Sequence, residues 1–337
     1  MKFAFTGDLS FKNIDRFTDN PFKDISHLFK EYNLVINLES VFMPDGSKKE
    51  QIKNKISLKQ NESSIELLRS INPYLVNLSN NHINDYGNFG VNYTRKILGS
   101  IKSFGAGYDY ETHNVFALKN EKIVFISYAT RNTDLSGSRL FNTDNFMGPK
   151  KYSLELFKKQ SSDYKKYRII VLLHWGFENI HYPLQIQRDT AGELIDNGTD
   201  LIIGNHSHLI QGYEKYKDRW IFYSLGNFLF PEFKYSHRGV QYSAKQYKQN
   251  KESIIPMFSI DDSITLDKVV TIEADRNYNL HVSNKRNHYN TFLFKNTYIY
   301  RIFYFTMKIK RTFNCYWWPL KRRMVNIVNR AINKKNE

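Results

Sequence analysis

One cysteine, Cys315, is all the thiol chemistry this chain has. That excludes an intramolecular disulfide and the small stapled folds that depend on one, and it leaves no thiolate set for a structural zinc site. Long apolar runs are missing as well. No window reaches the ~18 consecutive apolar residues of a membrane-spanning helix, and the first residues, MKFAFTGDLSF, lack the apolar stretch of a secretory leader. The expectation is a protein of a reducing, cytoplasmic setting, either free or peripheral to the inner face of the membrane. Acidic residues are scarce, 33 against 49 Lys and Arg, for a formal net charge of +16. The surplus is uneven: residues 292–337 hold 11 Lys and Arg against one acid, Glu337, leaving only +6 to the first 291. So small a surplus over the main domain argues against nucleic acid as its partner.

What is present is ample core material, 41% hydrophobic residues in 337, enough for one large domain. Strand and helix patterns alternate. Lys2–Thr6 reads as a strand, Pro21–Tyr32 as a helix with Phe22, Ile25, Leu28 and Phe29 on one face, and Leu34–Asn37 as a second strand. A polar, Lys-rich loop over 44–54 precedes a helix at Glu62–Ile71, a strand at Tyr74–Leu78 and a helix at Phe89–Phe104. A hairpin follows, with Asn114–Leu118 and Lys122–Tyr128 as its arms. Lys151–Tyr164 is helical, RIIVLL at 168–173 is a buried strand, Ile186–Asn197 is a helix stopped by Gly198, and Asp200–Asn205 and Trp220–Ser224 are further strands. This alternation predicts an α/β layered domain with helices on the sheet faces.

The strands share one property: chemistry-bearing side chains stand at their carboxyl ends, where open α/β sheets gather ligands. Asp8, Glu39, Asn81 with His82, His174, and His206 with His208 occupy those places. Singly, each has a commoner structural role, as a cap, a turn former or a hydrogen-bonded core histidine. Together they form a mixed set of carboxylates, amide and imidazoles that suits Mn, Fe or Zn better than Ca or Mg. His206 and His208 lie two apart, so extended chain would put both rings on one face. A carboxylate shared by two ions about 4 Å apart would allow a metal-activated water to attack a phosphorus centre. His82, beside Asn81 but projecting differently, is the candidate general acid.

The order GD (Gly7, Asp8), NLE (Asn37 to Glu39), NNH with DYG (Asn80 to His82, Asp85 to Gly87), HWGFE (His174 to Glu178), GNHSH with Gln211, and YSLGNFLF (Tyr223 to Phe230) resembles the CapA family of capsule and poly-γ-glutamate biosynthesis proteins. The resemblance covers about residues 1–230. It implies a fold similar to calcineurin-like metallophosphoesterases: a β-sandwich flanked by helices in four layers, α/β/β/α, over residues 1–290. It implies one or two divalent metal ions, with Asp8 and His208 toward one, Asn81, His174 and His206 toward the second, Glu39 bridging, His82 catalytic, and Asn80, Gln211 and Asn227 as substrate-binding residues. The activity implied is metal-dependent hydrolysis of a phosphoester on an anionic polymer or phosphorylated precursor; the alternative is a non-catalytic assembly or export factor that keeps the fold. Two positions depart from the pattern. Ser10 stands where phosphoesterases of this fold usually have a histidine, and Asn205 where many members have another.

The tail, 291–337, interleaves Phe303, Tyr304, Phe305, Phe313, Tyr316, Trp317 and Trp318 with Arg301, Lys308, Lys310 and Arg311, and the cluster Lys321, Arg322 and Arg323 follows Pro319. Such a segment serves either as a peripheral anchor on anionic membrane or as a terminal helix packed on the domain with its charges solvated. Liposome flotation separates the two. An anchor predicts that the full chain floats with anionic vesicles and that a chain ending at residue 290 does not.

Overall fold

A computed structural model describes residues 1–14, 20–47, 56–110, 112–134, 140–237 and 240–284. The basic aromatic tail lies outside the described residues. The protein is a mixed α/β structure built on two large sheets. In the eight-stranded sheet the path runs Leu280–Val282, Ile264–Ala274, Glu252–Ile260, Lys2–Leu9, Asn33–Leu38, Leu75–Asn77, Ser103–Phe104, and Asn227–Leu229 pairs with the end of Lys2–Leu9. Lys2–Leu9 is parallel to Asn33–Leu38 and antiparallel to Glu252–Ile260. In the six-stranded sheet the order is Ile210–Tyr216, Arg219–Leu225, Leu201–Asn205, Arg168–His174, Ile123–Ala129, Val115–Leu118, with the inner four parallel and the edges antiparallel.

Runs such as RIIVLL and LII are apolar on both faces because both faces are covered, as parallel strands require. Strand alternation divides the residues: Ile170 and Leu172 enter an apolar cluster that also holds Phe3, Phe5 and Val35 of the other sheet, while Val171 and Leu173 enter a second with Phe157, Ala191 and Leu194 of the helices Leu154–Ser161 and Gln185–Asp196. A third cluster lies on the other face of the eight-stranded sheet, joining Ala4, Leu34 and Ile36 to Phe22, Leu68 and Val91. The parallel strands therefore bring their carboxyl ends, where the candidate site residues stand, to one end of the apolar layer between the sheets.

Three sequence expectations need correction. Pro21–Tyr32 is a series of turns with one 3-10 helix, Ser26–Phe29. Its backbone bonds run mainly from one residue to the third before it, as from the Ile25 N–H to Phe22 O, the Leu28 N–H to Ile25 O and the Tyr32 N–H to Phe29 O, the pattern of turns and 3-10 helix. Phe22, Ile25 and Phe29 are nonetheless buried, so the apolar spacing marked a core-facing segment without marking its conformation. The helix expected to reach Phe104 ends at Leu98, because Gly99 takes φ +59°, and Ser103–Phe104 is a strand. The sequence reading also left unassigned the strands after Leu225, three of which form the eight-stranded sheet's antiparallel edge.

Gly204 is where the fold and the site meet. The Trp175 indole N–H donates to Tyr223 O at 2.8 Å directly over it, and a Cβ at Gly204 would overlap both partners. Gly204→Ala is expected to cost about 1–3 kcal/mol through overpacking, lowering Tm by several degrees in thermal denaturation. An unchanged Tm would show that the strand slides without penalty.

Candidate metal centre

Asp8 closes the strand Lys2–Leu9 and is fully buried. Its cross-strand neighbours are Asn37 on one side and Asn227 on the other. Asn37 Nδ2 donates to Asp8 Oδ1 at 2.7 Å, Asn77 Nδ2 supports Asn37 Oδ1 at 3.3 Å, and the His206 backbone N–H donates to Asp8 Oδ2 at 3.0 Å. His208 Nδ1 lies 3.4 Å from the same oxygen. Glu39, also fully buried, follows the strand Asn33–Leu38. Its Oε1 lies 3.4 Å from His174 Nε2 and 3.8 Å from His208 Nε2, and among the described residues neither carboxylate oxygen accepts a hydrogen bond.

His174 ends its strand with Nε2 2.8 Å from Asn81 Oδ1 and 3.1 Å from His206 Nδ1. The convergence of His206 and His208 comes from a turn and not from extended chain as the sequence suggested: both residues have left-handed backbone, φ +98° and +57°. Such a conformation costs a non-glycine residue on the order of 1–3 kcal/mol and persists only where surrounding contacts impose it. Here those contacts are the His206 N–H on Asp8 and His208 Nδ1 on Asn227 Oδ1 at 2.9 Å.

The charges follow from this packing. Burial pushes the Glu39 carboxyl well above the usual range, and the Asp8 charge pushes the same way. Burial acts upward on Asp8 too, but the hydrogen bond and charge of His208, with smaller contributions from His174 and the His206 N–H, hold it below its ordinary value. For His208 burial acts downward, yet Glu39 and then Asp8 raise it to about 10. His206 is held well below its usual value by burial and by the neighbouring imidazoles.

Two three-residue groups can hold a cation, Glu39 with His174 and His206, and Asp8 with Glu39 and His208, the donor atoms of each lying within 4.8 Å of one another. Glu39 belongs to both, and Asn81 joins the first through its contact with His174. The residues present fit a divalent ion on a specific ground: a buried carboxylate that accepts no hydrogen bond is costly, and a cation between two such oxygens removes the cost. The donors are oxygen and nitrogen, the set that Mn, Fe and Zn accept.

His82 stands beside this set. Its Nδ1 lies 2.8 Å from Asp85 Oδ2, an oxygen that also accepts the Leu58 N–H at 2.7 Å. The three residues expected to bind substrate also make internal hydrogen bonds. Asn80 donates to Leu38 O and accepts from the His82 and Ile83 N–H groups, Gln211 donates to Ile180 O and Tyr182 O, and Asn227 holds His208 while donating to Asn250 O. Sequence reasoning missed Asn37, Asn77 and Asp85; the signals available were the i, i+3 spacing of Asp85 from His82 and the place of Asn37 and Asn77 at strand ends.

A mixed α/β protein with oxygen and nitrogen donors gathered at its strand ends is a protein of the metal-binding, metallophosphoesterase-like class. The chain belongs to the bacterial capsule synthesis protein PGA_cap family, which matches residues 2–232 and has the calcineurin-like metallophosphoesterase fold. It is 30% identical over 241 residues to the PGA biosynthesis protein CapA of Bacillus subtilis (strain 168), covering 68% of this chain and 63% of that protein. It is 28% identical over 236 residues to the capsule biosynthesis protein CapA of Bacillus anthracis, covering 64% and 54%. A third relative, 25% identical over 211 residues, covering 57% of this chain and 54% of its own length, is named "Probable polyglutamine synthesis accessory protein" in Mycobacterium tuberculosis (strain ATCC 25618 / H37Rv). The chain thus spans less than two thirds of the length of these curated relatives.

The centre predicts metal-linked stability. Protein stripped with a chelator and titrated with Mn is expected to gain about 2.7 kcal/mol at 100 times Kd, read as a rise in Tm. Glu39→Gln is expected to lose most of that rise. An equal rise in the variant would place the ion elsewhere.

Proposed function

We propose that this protein acts in capsule or surface-polymer biosynthesis, of polysaccharide or poly-γ-glutamate, as a metal-dependent hydrolase of a phosphoester, and that its two sheets and flanking helices are the four-layer arrangement of a metallophosphatase. The observation that carries this reading is the Glu39 carboxylate, buried, accepting no hydrogen bond and common to both donor groups, with His82 nearby. Family membership and the names of the relatives support the process. On this reading Asp8 and His208 hold one ion, Asn81, His174 and His206 a second, and Glu39 both. One or two divalent ions so held would lower the pKa of water and offset charge developing on phosphorus.

The chain's own residues supply the rest. His82 donates a proton to the leaving oxygen from Nε2, because Nδ1 is committed to Asp85. The Asp85 carboxylate fixes the ring through Nδ1, and Leu58 N–H holds that carboxylate in turn. Asn37 and the His206 N–H keep Asp8 aimed. The substrate class is an anionic polymer or a phosphorylated precursor of one. The tail, as a separate segment, would bring the domain to anionic membrane.

A second reading, a non-catalytic assembly or export factor, has one observation in its favour. Ser10, at the position where a further histidine is usual in this fold, turns its hydroxyl to the Lys12 N–H at 3.3 Å, so the Asp8 side has few donors. The measurement that divides the readings uses His82→Ala. A hydrolase predicts a loss of about 10²–10⁴ in metal-dependent turnover of a generic phosphodiester, with the Mn-dependent rise in Tm unchanged. A wild-type protein that binds Mn and cleaves no phosphoester, with His82→Ala restoring capsule in a deletion strain, would sink the hydrolase.

A further inference from the structure

The segment after Asp8 carries a cation for which the metal centre has no use. Lys12 is half-buried, its Nζ donates to Ser57 O at 2.6 Å, and it lies 4.2 Å from the centre of the Phe233 ring. Among the described residues no carboxylate stands within ion-pair distance of it. Burial lowers its ammonium to about 8, with the Asp85 charge acting upward and Lys59 downward. An ammonium has three N–H donors, and a partly desolvated one with a single carbonyl acceptor is a poor choice for stability alone.

Its position is specific. Phe233, Phe230 and Leu58 form a small apolar cluster apart from the main core. The Phe230 ring is 4.7 Å from the His208 ring, and the Leu58 N–H holds the Asp85 oxygen that orients His82. The cluster therefore connects the metal side of the site to the proton donor, and Lys12 stands on Phe233, a member of that wall. The Ser57 hydroxyl is 3.2 Å from Tyr86 OH, next in sequence to Asp85. Lys12 is thus a cation set against the wall that joins the two sides of the site.

We propose that Lys12 is a specificity-determining residue, whose ammonium takes a second anionic group of the substrate, a carboxylate or a phosphate, separated from the reacting group by a short carbon chain. The inference rests on the reading that the metal centre and His82 are the substrate site. It adds the requirement for a second negative charge. Lys12 does not touch the reacting atoms on this account; it selects and positions.

Equilibrium binding of non-hydrolysable probes to the Mn-loaded full chain tests this without reference to turnover. The probes are butylphosphonate, 4-phosphonobutanoate and butane-1,4-bisphosphonate, which share one phosphonate and differ in the second charge. The wild type is expected to bind at least one two-charge probe about tenfold or more tighter than butylphosphonate, from a charged hydrogen bond. Whichever probe gains more identifies the second group as carboxylate or phosphate. Lys12→Met is expected to abolish the gain while leaving butylphosphonate binding and Tm in place, with Lys12→Gln as the second neutral variant should the first not fold, and Lys12→Arg to retain most of the gain. No gain in the wild type, a gain that survives in the neutral variants, or an equal loss for all three probes overturns the proposal. A gain lost in Lys12→Met in a protein that hydrolyses nothing leaves the anion site standing and removes the hydrolase; hydrolysis without any gain does the reverse.

Discussion

Two carboxylates that cannot both be comfortable are the constraint from which the rest of the structure follows. Asp8 and Glu39 end adjacent parallel strands and are both fully buried. Asp8 is satisfied by an amide, a backbone N–H and an imidazole. Glu39 has imidazole nitrogens near it at 3.4 and 3.8 Å and no hydrogen bond. In a dry interior such a group is neutralised or paired. The surroundings are arranged for pairing: His174, His206 and His208 present nitrogen around it, and His206 is kept uncharged by burial among other imidazoles, the form in which it can ligate a cation.

The amides explain how so crowded a site holds its shape. Asn227, Asp8, Asn37 and Asn77 form a row across four neighbouring strands, each in register with the next. Asn227 aims His208, Asn37 aims Asp8, Asn77 aims Asn37, and Asn81 meets His174. Amides suit this task because each offers both donor and acceptor and none adds charge. The strained backbone at His206 and His208 is bound into the same network, since the N–H that the turn exposes is the one that Asp8 accepts. The site and the loop that builds it are thus stabilised by the same bonds.

The parallel strands and the residues at their ends were legible in the sequence because burial on both faces writes continuous apolar runs, and polar residues interrupt them only where the strand stops. The H-x-H pair was legible as a pair, but its left-handed backbone was not, since histidine, though enriched there, takes φ above zero in only a small share of its positions. Pro21–Tyr32 misled because apolar periodicity reports which side chains are buried, and turns with i→i+3 backbone bonds bury the same side chains as a helix would. The internal bonds of Asn80, Gln211 and Asn227 were not legible, because their partners Leu38, Ile180 and His208 are brought near by the fold and are distant in sequence from all three. A long-range hydrogen bond leaves no local pattern.

The two sides of the centre are not equivalent, and the difference bears on how the protein works. The side of His174 and His206 has Glu39 and Asn81 as well, whereas the side of His208 has Asp8 and Glu39, and Ser10 faces the Lys12 backbone. His208 is the imidazole that the carboxylates raise to about 10, so in the absence of an ion it is a cation and compensates the two acids itself. An ion arriving on that side must displace a proton from His208, whereas an ion on the other side meets an imidazole already neutral. The same fold therefore offers one position that fills readily and one that fills at the expense of a proton. Ser10 widens that gap by supplying no nitrogen to the Asp8 side.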